Sequence, residues 1–359
     1  MLTPALILDL DQFEANLAQM QQRAKAAGVS LRPHAKAHKC PEIAQRQIAV
    51  GAVGICVATP GEAEVFARAG IGDILLTSTF ATPQAAARLA DIAAEGTALA
   101  VVFDHPAPLD LFIAALEERG ARARALIDMD TGRHRSGVAS PAAAIELAQR
   151  IKAAGCLDLV GLQAYAGHLS HCADPVLRAE QAQKVTTEIA QMLAGLAPYL
   201  PAMPVITGCS TGAMREELAA GVYTEMQCGS YALMDVEYDL VDPDGSGRPA
   251  FATSLFVASA VISANHPGLA TTDGGEKRFA AKHGTAPVIR RGAPQGATYR
   301  PSSDEHGTIT LPRGAALLPG AMVELQVPHC DPTVNLYDAI HVMRGEELLA
   351  IWPVAARGA

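Results

Sequence analysis

Five short stretches of this sequence carry residue types whose spacing suits chemistry. The first, Arg32-Pro33-His34-Ala35-Lys36-Ala37-His38-Lys39, sets one amine among four other basic side chains. Burial and like charge both disfavour an ammonium ion. Lys36 is therefore expected to give up its proton readily, the state in which a lysine forms a Schiff base with a carbonyl carbon. A solvated basic turn would use the same residues without chemistry. The second stretch, Thr207-Gly208-Cys209-Ser210-Thr211-Gly212-Ala213, is small and precedes a helix-like segment. Such a loop lets backbone N–H groups approach a phosphate, and Gly229-Ser230-Tyr231 is placed to complete it. The third, residues 127–137, holds Arg133 and Arg135 beside Gly132 and Gly137. An arginine there suits a charge-assisted hydrogen bond to a phenolate oxygen, or else a salt bridge to Asp128 or Asp130. The fourth, residues 163–171, alternates Gln163 and Tyr165 to one face and then offers His168 and His171 as general bases tunable near neutral pH. The fifth is Val327-Pro328-His329-Cys330-Asp331-Pro332-Thr333. On an extended segment His329 and Asp331 point one way and Cys330 the other. Imidazole plus carboxylate suits Mn²⁺, Mg²⁺ or Zn²⁺ with open positions, whereas His329 with Cys330 would favour Zn²⁺.

These groups need a frame. Eight apolar, strand-like runs recur at 30–36, 54–59, 73–78, 98–104, 124–130, 159–167, 204–209 and 225–231, separated by helix-like segments at 41–50, 60–69, 83–95, 108–120 and 141–154. Several helix segments open on Pro, which fits a first helical turn, and some run into Gly. Strand and helix alternating eight times, with strands apolar enough to be buried on both faces, is the pattern of a (β/α)8 TIM-type barrel. An open doubly wound sheet would call for a Gly-rich first turn that is missing here. The first four stretches all then fall at carboxyl ends of strands, where such barrels place catalytic groups. After about residue 240 the texture becomes a turn-rich linker at 242–247, followed by short β-branched runs at 255–264, 286–289, 307–311, 321–327, 339–344 and 347–353. This reads as an all-β domain. The leading run at 5–10 precedes the first barrel helix and needs a partner, which we expect in that domain. The division is thus a barrel over 11–240 and a β-domain built from 1–10 plus 241–359.

Composition excludes several classes. With 359 residues, 50% hydrophobic and 18% charged, the chain can bury a large core, and with 4% aromatics that core must be chiefly aliphatic. A net charge of −9 without a Lys/Arg block argues against nucleic acid and anionic membranes. No apolar run reaches the roughly 20 residues of a bilayer span. The start lacks a basic n-region, so no signal peptide is expected. Seven scattered cysteines suit a reducing cytoplasm rather than a disulfide framework.

As a set, the stretches resemble the fold-type III (alanine-racemase-like) pyridoxal phosphate enzymes, and within them the D-threonine aldolase and D-serine dehydratase family. The residues carrying the resemblance are Pro33–Lys39, Gly208–Gly212, Gln227–Tyr231 and His329–Asp338. The resemblance implies that Lys36 holds pyridoxal 5′-phosphate as a Schiff base. It implies that Ser210, Thr211, Gly212, Gly229, Ser230 and Tyr231 cradle the phosphate and that Arg135 contacts the phenolic oxygen. Tyr165, or Gln163 in competition with it, would lie near the pyridine nitrogen. His329 and Asp331 would bind a divalent metal, Mn²⁺ or Mg²⁺ before Zn²⁺. Where the dehydratase branch has cysteine at the second metal position this chain has Asp331, as in the aldolase branch. The implied reaction is cleavage of a D-β-hydroxy-α-amino acid to glycine and an aldehyde, with His171, or His168, as base. Release of glyoxylate from D-3-hydroxyaspartate, dehydration of D-serine or 3-hydroxyaspartate, and a non-catalytic pyridoxal phosphate carrier are the alternatives. A homodimer is also implied.

Overall fold

The computed structural model describes residues 1–241, 247, 249–281 and 284–359, so the linker expected at 242–247 lies outside the described residues except for Gly247. The chain opens with strand β1 (Ala5–Asp9) and helix α1 (Leu10–Ala27). Eight parallel strands follow: β2 (Ser30–Leu31), β3 (Ile55–Val57), β4 (Asp73–Leu76), β5 (Ala98–Phe103), β6 (Ala123–Asp128), β7 (Leu157–Ala164), β8 (Val205–Gly208) and β9 (Glu225–Met226). Their order is β2-β9-β8-β7-β6-β5-β4-β3. The two ends of this order meet through a bridge between His34 and Cys56, with the Cys56 N–H donating to the Pro33 carbonyl at 2.8 Å. The result is a (β/α)8 TIM-type barrel.

The intervening helices are α2 (Pro41–Ala49), α3 (Pro60–Arg68), α4 (Pro83–Ala94), α5 (Pro106–Arg119), α6 (Pro141–Ala154), α7 (Pro175–Leu196) and α8 (Met214–Ala219). Six of them, α2 to α7, begin with Pro, whose missing N–H costs nothing at a first turn. Thr59, Thr82, Ser140 and Asp174 cap four of these starts through a side-chain oxygen. Helix α5 starts two residues earlier than expected because His105 Nδ1 accepts from the Ala107 N–H and so supplies a cap.

The barrel interior is part apolar and part polar. Cys56, Leu75, Ala100, Val102 and Leu126 form one buried cluster. Beside it runs a hydrogen-bonded chain. Gln163 Nε2 donates to Asp128 (2.8 Å), and Gln227 Nε2 donates to Gln163 Oε1 (3.0 Å) and to Thr207 (3.1 Å). Thr207 donates to Glu225 (2.9 Å), and Arg32 bridges Glu225 (2.9 Å) and Asp73 (2.6 Å). Each polar group taken out of water here has its partner, which is the condition for burying it.

The second sheet has nine strands. Strand β1 lies between β10 (Leu255–Ser263), antiparallel, and β16 (Ala339–Arg344), parallel. The others are β11 (Leu269–Thr272), β12 (Val288–Arg291), β13 (Thr298–Pro301), β14 (Gly307–Thr310), β15 (Met322–Gln326) and β17 (Glu347–Pro353). Strands β11 and β13, only four residues long and with little hydrophobic signal, have no counterpart among the β runs expected from the sequence. Helices α9 (Val236–Asp239) and α10 (Cys330–Val334) stand between the sheets. Among the described residues no helix is long and apolar enough to cross a membrane.

One buried cation pins the loop that carries His168 and His171. Arg178 donates to the carbonyls of Cys172 (2.8 Å) and Val241 (3.0 Å) and pairs with Glu216 at 3.0 Å, with neither side chain of the pair open to solvent. Removing one partner of a buried pair leaves the other charge uncompensated. Arg178→Ala is therefore expected to lower unfolding free energy by about 3–5 kcal/mol, read from urea denaturation of both proteins.

Candidate active site

A cavity of about 950 Å³ opens at the carboxyl ends of the barrel strands. Lys36, Arg135, Tyr165, His168, His171, Ser210, Thr211, Gly229, Ser230, His329 and Asp331 all line it. Gln163, Gly212 and Tyr231 do not.

Lys36 is not on a strand, as alternation suggested, but in a 3₁₀ turn over Ala35–Ala37. His34 shapes that turn. Its Nδ1 accepts from the Lys36 N–H at 3.4 Å, so the ring proton sits on Nε2, which donates to Thr77 Oγ1 at 2.9 Å. Burial, followed by the nearby Lys36 charge, keeps this imidazole neutral, well below its usual pKa. His38 is likewise neutral, brought to about 4 by burial. The expected crowd of cations around Lys36 therefore does not exist. Arg32 is consumed by Glu225 and Asp73, and Lys39 pairs with Glu62 at 2.8 Å. Burial still works against the Lys36 ammonium, but Tyr165 and Asp331 outweigh it, and the pKa is raised rather than lowered. The Lys36 amine lies 3.9 Å from the Asp331 carboxylate and 5.9 Å from the centre of the Tyr165 ring, and its side chain keeps 38% of its surface open to the cavity.

The small loop after β8 has the character of an anion cradle. Ser210 Oγ is buried beside Glu217, with no hydrogen bond of regular geometry among the described residues. Thr211 Oγ1 accepts from the Tyr231 N–H at 3.2 Å, tying the loops after β8 and β9 together. Tyr231 itself faces away, its hydroxyl on Gln47 (3.3 Å) and its ring 5.7 Å from that of Phe251, so it braces the cradle from behind. Gly212 is set back as well. A Cβ there would run into the Ser170 carbonyl, so only glycine permits the β8 loop to touch the histidine loop. At Gly229 a Cβ would meet the His34 carbonyl oxygen at 2.6 Å. Beneath the cradle, the Ser210 N–H donates to Glu217 Oε2 at 2.8 Å. Burial raises that carboxyl from its usual 4.5 to about 8.

On the opposite wall, Arg135 lies 5.8 Å from the Tyr165 ring centre. Neither aspartate suggested as its salt-bridge partner holds it. Asp130 binds the Gly132 and His134 N–H groups and the His134 ring, and Asp128 binds Gln163 and Ser136. Gln163 cannot compete with Tyr165 for a ligand. Its amide is spent on Asp128, the Thr77 carbonyl and Gln227, one layer below the cavity floor.

The segment at 329–331 is also not extended. His329 is extended, but Cys330 already begins α10. His329 and Asp331 both reach the cavity regardless, and the Cys330 thiol turns from it, 3.3 Å from an Asp331 oxygen and held as a thiol by burial. Asp331 stays ionised despite burial because Lys36 and His329 lie beside it. Two acids of α9 and its cap, absent from the sequence reading, back this corner. Asp235 Oδ2 accepts from His329 Nδ1 (2.9 Å) and the Cys330 N–H (2.8 Å), and Glu237 lies 3.4 Å from His171 Nδ1. Asp235, His329 and Cys330 accordingly form a buried group within metal-ligating distance of one another. The rings of His171 and His329 meet edge to face at 5.8 Å. His168 is farther round the wall, its Nδ1 buried without a hydrogen bond among the described residues and its basicity lowered by burial and then by Arg133.

Known proteins match this arrangement along the whole chain. A family model for the alanine racemase N-terminal domain matches residues 8–236, and one for a serine dehydratase domain matches 254–343. The D-threonine aldolase of Arthrobacter sp is 40% identical, covering 99% of this chain and 93% of its own. The chain belongs to the D-threonine aldolase and D-serine dehydratase-like family of fold-type III pyridoxal phosphate enzymes. Within that family, a 3-hydroxy-D-aspartate aldolase of Paracoccus denitrificans (strain Pd 1222) is 33% identical over 99% of this chain and 92% of its own. The crystal structure of D-threonine aldolase from Filomicrobium marinum superposes with a TM-score of 0.93 at 36% identity, covering 100% of this chain and 96% of that one.

The buried Glu217 makes a pH prediction. Its folded pKa, about 8, lies above the usual 4.5, so between those values the folded state keeps a proton that the unfolded state releases. Stability contributed by this group is complete below about 4.5 and is lost as pH rises to about 8. Glu217→Gln keeps an acceptor for the Ser210 N–H but cannot ionise. The variant's melting temperature is expected to gain on the parent's steadily across that window and to run parallel above it.

Proposed function

We propose that this protein is a pyridoxal phosphate- and divalent-metal-dependent aldolase that cleaves D-β-hydroxy-α-amino acids of the D-threonine type into glycine and an aldehyde. The observation that carries the reading is the convergence of His329 and Asp331 on the cavity of Lys36, with Asp331 3.9 Å from the amine and Cys330 turned off the wall. The residues present fit both groups. The buried Ser210 Oγ, with no hydrogen bond of regular geometry among the described residues, suits a phosphate, and the open Lys36 amine suits an aldehyde. One imidazole beside one carboxylate suits a hard or borderline divalent ion.

Lys36 would hold the cofactor, with Ser210, Thr211, Gly229 and Ser230 around its phosphate. Arg135 would face the phenolic oxygen, and Tyr165 would set the ring's position. Pyridoxal phosphate, when bound, supplies an electron sink for the pair released at Cα, and a divalent ion on His329 and Asp331 supplies a Lewis acid. A substrate amino group occupying the place of Lys36 Nζ brings its β-hydroxyl, three bonds away, within reach of Asp331 and His329. His171 takes the hydroxyl proton on Nε2 while Glu237 faces its Nδ1. The Cα–Cβ bond breaks, a carbonyl forms at Cβ, and one proton returns to Cα. D-Threonine thus yields glycine and acetaldehyde. Arg133, on the same wall beside Gly167 and His168 and in no ion pair among the described residues, favours a second substrate with an anionic β-substituent, D-3-hydroxyaspartate, which would release glyoxylate by the same steps.

Product analysis decides between the readings. Glycine with acetaldehyde from D-threonine, lost on adding a chelator and restored by Mn²⁺, is the expected result; pyruvate from D-serine in its place would make the protein a dehydratase. No turnover of any D-amino acid would leave it a carrier. His171→Ala is expected to keep the visible absorbance of bound cofactor and lose about 10²–10⁴-fold in kcat, the usual contribution of a general base. Normal turnover in that variant would pass the role to His168.

A further inference from the structure

The short helix α9 and its cap belong to the barrel's exit segment, yet their acids reach the metal corner of the cavity. Asp235 is fully buried, and its carboxylate accepts three hydrogen bonds from the described residues. Oδ1 accepts from the Tyr238 N–H at 2.9 Å, and Oδ2 accepts from His329 Nδ1 at 2.9 Å and from the Cys330 N–H at 2.8 Å. A carboxylate has no proton to give in these bonds, so the proton between Asp235 and His329 belongs to Nδ1. That leaves the Nε2 lone pair as the one His329 can offer to a cation. The same oxygen holds the first N–H of α10, the helix that carries Asp331.

We propose that Asp235 is the positioning residue of the metal centre: it fixes the His329 tautomer with Nε2 as ligand atom and, through the Cys330 N–H, the start of the helix that presents Asp331. This rests on the metal reading given above for His329 and Asp331. Carboxylates behind ligating histidines orient the ring and raise its basicity, and their loss typically costs 10–100-fold in metal affinity. The group Asp235, His329 and Cys330, taken alone, looks like a three-ligand site. The hydrogen bonds assign it differently. Asp235 is already engaged by an imidazole N–H and an amide N–H, and the Cys330 thiol is turned from the cavity, so two of the three serve as support for the third.

The test is Mn²⁺ binding to the cofactor-loaded protein, by calorimetry and by metal retained after dialysis. Asp235→Ala is expected to weaken Mn²⁺ about 10–100-fold with cofactor absorbance unchanged. Asp235→Asn, whose amide oxygen can still accept from Nδ1–H, is expected to keep most of the affinity. Binding by Asp235→Ala within about threefold of the parent overturns the proposal. An equal loss in both variants overturns the orienting role in favour of charge alone. If Asp235→Ala does not fold, long-range ¹H–¹⁵N spectra of metal-free parent protein in alkaline buffer decide it, with the His329 signals assigned by their loss in His329→Gln. A proton on Nδ1 is the expected tautomer, and a proton on Nε2 overturns the proposal. A parent protein that binds no Mn²⁺ at all instead refutes the metal reading on which this one stands.

Discussion

The constraint on which this molecule turns is the placement of β1. Ala5 to Leu8 are locked antiparallel to β10, and Leu6 to Asp9 run parallel to β16. At Asp9 the chain ends that strand and caps α1 of the barrel in a single residue. With no linker at this crossing, the C-terminal sheet cannot swing freely over the barrel. Strand β15 leads directly into the His329–Asp331 segment, and β15 pairs with β10, the neighbour of β1. The distance between a barrel lysine and a carboxylate almost three hundred residues later is therefore set by sheet pairing together with the local bonds that Asp235 and Ser230 make to the 329–331 segment.

Electrostatics inside the cavity follow from which charges are already spoken for. Arg32 is neutralised by Asp73 and Glu225, and Lys39 by Glu62. His34 and His38 are uncharged. What remains facing the cavity is Lys36 against Asp331, with the guanidiniums of Arg135, across the Tyr165 ring, and of Arg133. Asp128 and Glu217, buried below the floor and the cradle, are raised to about 6 and about 8 by burial. A neutral acid under an anion cradle avoids repelling a phosphate, an advantage that a second fixed negative charge would forfeit.

Much of the frame was legible because it is periodic. Eight apolar runs, separated by Pro-initiated helices, are a strong signal, and β16 and β17 fall on the expected 339–344 and 347–353. The site was legible where residue type alone is distinctive: a lysine among histidines, a Gly/Ser/Thr loop, a His next to acids. Local conformation was not. Alternation puts Lys36 and Asp331 on extended backbone, but His34 and Asp235 impose a 3₁₀ turn and a helix start through side-chain bonds that no periodicity encodes. Alternation points Gln163 inward with Tyr165, and inward at that level means the interior hydrogen-bond chain. Asp235 and Glu237 escaped notice because they sit in one helical turn, and Asp235 meets His329 across 94 positions of sequence.

The contact between Gly212 and the Ser170 carbonyl has a mechanical meaning. The loop that would grip the phosphate and the loop that carries both wall histidines touch backbone to backbone, with no side chain between them to yield. Neither can move toward the other without displacing it. Occupancy at the anionic end of the cavity and the pose of the imidazoles at its far end are in that sense one degree of freedom, and a ligand lacking the phosphate would leave both ends slack.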